Sequence, residues 1–167
     1  MNVVTIHYLE MLNPEELQPS DCSADPLLIM ECRIKQYQFN QFLYRLIGER
    51  WQWTDKANWS EEQWRDYAES DQLRTFVAYQ AGAIAGYYEL QRQASSAVEI
   101  IYFGLTEQFI GCGYGGCLLT RAIRDAWSWD AKRVWVHTCT LDHPAALSNY
   151  LKRGFKLYQQ ETITTGE

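Results

Sequence analysis

The chain has 167 residues, a net charge of −6, and 47 % apolar and 14 % aromatic side chains. That length predicts one domain over residues 1–167, and the acidic balance disfavours nucleic acid or an anionic membrane as partner while suiting a cationic one. Its five cysteines (22, 32, 112, 117 and 139) form no C-x-x-C pair and no zinc-spaced cluster with histidine, so no metal is expected; their odd number, behind a start with no basic-then-apolar leader, predicts reduced thiols and a cytoplasmic location.

In chain order, Val3 to Met11 reads as a strand that Asn13-Pro14 breaks. Residues 18–26 read as a loop and Leu27 to Arg33 as a second strand. Phe39, Phe42, Leu43, Leu46 and Ile47 keep the spacing of a helix face, with Gly48 at its end. Ser60 with Gln63 reads as a capping box and Trp59 with Trp64 as a hydrophobic staple, so a second helix runs to about Ser70. Arg74 to Gln80 and Ile84 to Gln91 form a hairpin around Ala-Gly-Ala. Ser95-Ser96-Ala97 then turns the chain into a central strand, Ile100 to Leu105. After a short link come four glycines, at 111, 113, 115 and 116, and apolar residues at 118, 119, 122, 123, 126 and 127, one face of a helix. Arg133 to Thr138 is a further strand. Asp142-His143-Pro144 opens a helix whose inner face is Ala146, Leu147, Tyr150 and Leu151, and which Gly154 stops. Phe155 to Thr162 closes the chain as a strand. This order predicts an α/β fold: a mixed sheet with a hairpin at its middle and helices on both faces.

Strand, glycine-rich turn and helix together let backbone N–H groups converge on an anion at the positive end of the helix. A phosphate loop of the G-x-x-x-x-G-K-[ST] type is excluded, because no Gly-Lys-Ser/Thr occurs. A dinucleotide fingerprint matches Gly111, Gly113 and Gly116, and an NAD-dependent oxidoreductase is the reading it would support. Its context fails: the first glycine should come directly off the strand near the start of the domain, and the strand at 133–138 ends without a ribose-binding acid. The third reading is an acyl-CoA loop.

Here the segment resembles the central motif [Q/R]-x-x-G-x-[G/A] of the GNAT superfamily of acyl-CoA-dependent N-acyltransferases. Aligned on its glycines, the motif falls on Ile110, Gly111, Cys112, Gly113, Tyr114 and Gly115, and Gly116 follows. Ile110 stands at the Gln/Arg position, which removes a polar side chain and leaves the N–H groups. The predicted element order matches the family over nearly the whole chain. W-V-H-T-C-T-L-D-H-P-A-A-L resembles a stretch found in a bacterial subgroup of the family.

The resemblance implies a GNAT-like fold with a splayed central sheet, acetyl-CoA as co-substrate, and direct attack by a small-molecule or peptide amine in a ternary complex. It assigns pantetheine binding to backbone groups of Phe103 and Leu105, with the Leu105 N–H also polarising the thioester carbonyl. It assigns the general acid to Tyr150, which precedes Gly154-Phe155 as in A-x-x-x-Y-x-x-x-G-F, because a phenol can return a proton to the CoA thiolate. His143 replaces an asparagine that bonds the pantetheine arm; an imidazole can do the same or cap its helix. Glu99, on the central strand, is the candidate base, with ordered water as the alternative and Glu89 as a substitute. Cys139 with His137 and Asp142 suggests a nucleophilic cysteine, but i and i+2 on a strand share a face without having to touch. The acceptor wall falls to the region between the first two helices, where Tyr44, Trp51 and Trp53 offer rings for an ammonium or aryl group and Asp55 an acid. A non-catalytic acyl-CoA sensor on the same fold is the alternative, and a homodimer is compatible with the sequence.

Overall fold

The computed structural model describes residues 2–22 and 25–165. The β-branched and aromatic runs form seven strands: β1 (Asn2–Met11), β2 (Leu28–Glu31), β3 (Leu73–Gln80), β4 (Ala83–Arg92), β5 (Ala97–Leu105), β6 (Arg133–Cys139) and β7 (Lys156–Thr165). They make one sheet in the order β2-β3-β4-β5-β6-β1-β7. Every neighbouring pair is antiparallel except β5 and β6. The first strand is thus inserted between β6 and the last strand, a placement that local sequence pattern does not carry.

Two helices, α1 (Tyr37–Gly48) and α2 (Glu61–Ala68), pack on one face of the sheet with Val77, Tyr87 and Tyr102. On the other face α3 (Gly115–Trp127) buries Leu118, Leu119, Ala122, Ile123 and Ala126 against Leu90, Val98, Ile100 and Val134, with Tyr150 of α4 (Ala146–Lys152) beside them. Each large apolar side chain removed from water here contributes about 2 kcal/mol, which is why the period of α3 is so plain in the sequence. The capping box of Ser60 and Gln63 forms as expected, and Trp59 packs edge-on against Trp64 with ring centroids 5.4 Å apart.

Two expectations need correction. In α1 the inward residues are Tyr37, Asn40, Leu43, Tyr44 and Ile47, whereas Phe42 and Leu46 are exposed. The apolar count misled because the buried side of this helix is partly polar. Gly48 ends α1 as expected, and a 3-10 turn follows from Glu49 to Trp51 and stops at Gln52 with φ +55°. Gly48 also has to be small there: a Cβ would lie 2.4 Å from the Trp53 ring. Finally, the thiols are not all free. The connection from β1 to β2 crosses α3 and α4, where the Gln18 N–H donates to the Arg153 carbonyl at 2.9 Å and the Ser20 N–H to Thr120 Oγ1 at 2.9 Å. This brings Cys22 to Cys117, and the two form a disulfide. Their separation of 95 residues hides the pairing from any spacing rule. Among the described residues no helix is long and apolar enough to cross a membrane.

Candidate active site

The site begins where two neighbouring strands part. β5 and β6 pair only from Ala97↔Arg133 to Glu99↔Trp135, so beyond Glu99 the facing edge of β5 has no strand beside it. The polar groups of a strand alternate between its two edges. The Thr106 N–H donates to Ala85 on the β4 side at 2.9 Å, so those of Leu105 and Phe103 face the open gap. The structure thus frees the two backbone positions that the resemblance had singled out.

At the wide end of the gap lies the glycine loop. Gly111 and Gly113 adopt φ +78° and +85°, conformations that an L side chain reaches only with strain. As a result no N–H from Gly111 to Cys117 makes a well-formed hydrogen bond to another described residue. Consecutive free donors running into a helix N-terminus form an anion cradle. Its side chains do other work: Tyr114 is buried against Phe109, Cys112 is exposed, and Gly115 and Gly116 open α3. Ile110 lines a cleft of about 410 Å³ together with Leu105, Glu107, Arg50 and Trp51. Sequence reasoning missed Arg153. Its guanidinium lies so close to the start of α3 that a Cβ on Gly116 would be 2.5 Å from Nη1. Its Nε and Nη1 are buried with no hydrogen-bond partner among the described residues. Such an unpaired cation beside the cradle suits phosphate.

Tyr150 stands between the two ends, held because Asn149 Nδ2 donates to the Gly115 carbonyl at 3.1 Å and ties α4 to α3. Its ring packs on Phe103 and Phe155, and no described residue bonds its hydroxyl. Burial first, and the Asp142 carboxylate second, push its pKa up, so it stays a proton donor across the physiological range. His143 caps the turn before α4, its Nδ1 accepting from the Ala145 N–H at 3.0 Å. Its ring meets Trp51 edge-on at 5.1 Å.

The acceptor side is made of side chains. Trp53 crosses the gap: it packs on Tyr44 and Tyr102, and its indole N–H points at Asp142 Oδ1, 3.4 Å away. Asp142 also accepts from Thr138 Oγ1 (2.5 Å) and from the Cys139 N–H (2.9 Å). Tyr44 is buried and donates to Asp55, which Tyr102 and Lys56 also bond. Burial works against the Asp55 carboxylate, but the Tyr102 hydroxyl and the Lys56 ammonium prevail and hold its pKa below the ordinary value. Lys56 is itself caged by Trp59, Tyr67 and Tyr102, with ring centroids 4.4 to 4.9 Å from Nζ.

The two candidate bases differ in their settings. Glu89 is sealed beneath α1 and α2, bonded by the Tyr67 hydroxyl and by Asn40 Nδ2, and burial raises its pKa; it faces no open space. Glu99 borders the gap, yet both its oxygens are taken, one by His137 Nδ1 at 3.1 Å and the other by Gln93 Nε2 at 2.7 Å. Cys139 is half-buried, and burial pushes its thiol up, which disfavours the thiolate a nucleophile needs.

With this geometry in view, the comparisons with known proteins are direct. The model of the acetyltransferase (GNAT) family matches residues 40–155. The chain belongs to the GNAT family. An uncharacterised N-acetyltransferase of Mycobacterium tuberculosis is 28 % identical over 110 residues, which is 66 % of this chain and 70 % of the relative. Among solved structures, a GCN5-related N-acetyltransferase from Kribbella flavida superposes with TM-score 0.66 at 13 % identity, over 95 % of this chain and 56 % of that one. An IAA acetyltransferase from Bacillus cereus gives TM-score 0.59 at 24 % identity, over 80 % of this chain and 79 % of its own. Those likenesses establish the GNAT fold: a mixed sheet with helices on both faces. This chain spans little more than half the length of the Kribbella structure. The family is one of acetyltransferases.

Proposed function

We propose that this GNAT member transfers an acetyl group from acetyl-CoA to a primary amine by direct attack in a ternary complex. The observation that carries this reading is the run of N–H groups from Gly111 to Cys117 without a well-formed bond among the described residues, next to an unpaired edge of β5 and to Arg153, whose Nε and Nη1 have no partner among those residues. The cradle and Arg153 suit the pyrophosphate, and the N–H groups of Phe103 and Leu105 suit the pantetheine and the thioester carbonyl. Tyr150, kept protonated, supplies the proton to the departing thiolate. Trp53 and Asp55 on the opposite wall, with Trp51 in the cleft beside Ile110, suit an ammonium group, because rings and a carboxylate both favour a cation.

The test is thermal stabilisation by acetyl-CoA and by CoA, followed by thiol release on a panel of amines. A ligand at a hundred times its Kd should stabilise the fold by about 2.7 kcal/mol. Stabilisation with thiol release supports the enzyme, and stabilisation without release on a broad panel favours an acyl-CoA sensor. No stabilisation by either ligand would remove the reading.

A further inference from the structure

The attacking nitrogen must lose a proton, and the surroundings of Glu99 indicate where it goes. Glu99 is 5 % exposed, and neither of its oxygens is free to approach a substrate. Gln93 holds one, and is itself fixed by Trp135 Nε1, which donates to Gln93 Oε1 at 3.0 Å. The other faces His137 Nδ1. His137 lies on the opposite arm of the gap, two residues past the last β5–β6 pair, and 47 % of its side chain is exposed. Since Nδ1 carries the proton that Glu99 accepts, the neutral imidazole presents a lone pair on Nε2. That nitrogen has no hydrogen-bond partner among the described residues. Trp135 and Tyr8 flank the ring at 6.0 and 5.9 Å between centroids, fixing its plane.

We propose that His137 Nε2 is the general base of the reaction and that Glu99 is its positioning residue, an inference that rests on the acetyl-transfer reading above. The acceptor ammonium gives one proton to Nε2, and the resulting amine forms a C–N bond to the thioester carbonyl carbon. The C–S bond then breaks, and the sulfur takes the proton of Tyr150. The second proton shed by the nitrogen restores the Tyr150 phenol, and His137 returns its own to solvent. Overall an ammonium and a thioester become an amide, a thiol and a proton.

The neighbourhood suits this role. Glu99 on β5, Asp142 after β6 and Asp55 between α1 and α2 are the acids that act on the ring, and Tyr8 of β1, bonded to Glu161 of β7, flanks it. The hydrogen bond to Glu99 outweighs the opposing effect of burial and raises the imidazole above its ordinary 6.5, near working pH for a base. Sequence reading had His137 only as a partner for Cys139. The signal for its real neighbour lay across the sheet, at a parallel pairing that no local pattern announces.

The experiment uses the purified chain with acetyl-CoA and an accepted amine, following thiol release against pH. The wild type should show kcat/KM rising through one ionisation above pH 6.5 to a plateau. Glu99→Gln should move that limb to lower pH by about one unit, because the imidazolium loses its anion. His137→Gln should abolish the limb and lower kcat about a hundredfold, with CoA affinity within about twofold of wild type as proof of folding. NMR titration of the imidazole in wild type and Glu99→Gln gives a second reading, and the same downward shift is expected. Wild-type kcat and an unchanged limb in His137→Gln would overturn the proposal, and so would an imidazole indifferent to Glu99→Gln. If the wild type releases no thiol with any amine, acetyl transfer itself is refuted, and the base assignment falls with it.

Discussion

The two ends of the gap are built from different materials. The glycine-loop end presents backbone: free N–H groups, two left-handed glycines and the start of α3. The other end presents side chains tied into one another, Trp53 to Asp142, Tyr44 and Tyr102 to Asp55, Gln93 to Glu99, and Glu99 to His137. Backbone donors suit an anion such as a phosphate and tolerate change in the side chains around them. Side-chain networks can be re-cut residue by residue, which suits the partner that varies. The contrast explains why Ile110 can stand where the family motif has Gln or Arg without disturbing the loop.

The largest effect should come from the disulfide that pins the β1–β2 connection to the first turn of α3. A cross-link between positions 95 apart restricts the unfolded chain by ~4.7 kcal/mol. Reduction should lower the melting temperature by about 10 °C; an identical melt with and without dithiothreitol would show that the link adds nothing. Next, Tyr150→Phe should lower kcat at least about tenfold with little change in CoA affinity, measured by thiol release and calorimetry. A fully active variant would move the proton donor elsewhere. Within the loop the contrast can be sharpened directly. Gly111→Ala, at φ +78°, should cost about 1 kcal/mol and weaken CoA about fivefold, while Cys112→Ser should stay within about twofold of wild type. Equal losses from both would mean that the loop binds through side chains after all.

The smallest effect is a pH dependence at the acceptor end. The folded pKa of His137 is raised, so the stability it contributes is full below about pH 6.5 and disappears as pH rises through the folded value. For a pair this exposed the amount is at most about 1 kcal/mol. Denaturant melts across that range should show the decline in wild type and lose it in Glu99→Gln.

How far the sequence could be read follows the same division. The loop and α3 were legible because glycine spacing and a helical apolar period are local, set by residues a turn apart. The capping box at Ser60 and the hairpin around Gly82 were legible for the same reason. α1 was misread because Asn40 faces inward to bond Thr75 and Glu89, residues from strands far along the chain. Glu99 and Tyr150 could be named on motif grounds, but their neighbours could not.

By itself, then, the sequence determined which segments become strands and helices, and where a glycine-rich turn leads into a helix N-terminus. Only the tertiary structure decided that β1 lies between β6 and β7, that Cys22 meets Cys117, that Arg153 Nε and Nη1 are buried beside Gly116 with no partner among the described residues, and that Glu99 spends itself on His137. The physical reason is range. Backbone conformation responds to near neighbours, whereas strand order and the company of a buried charge depend on contacts made after the whole sheet has closed.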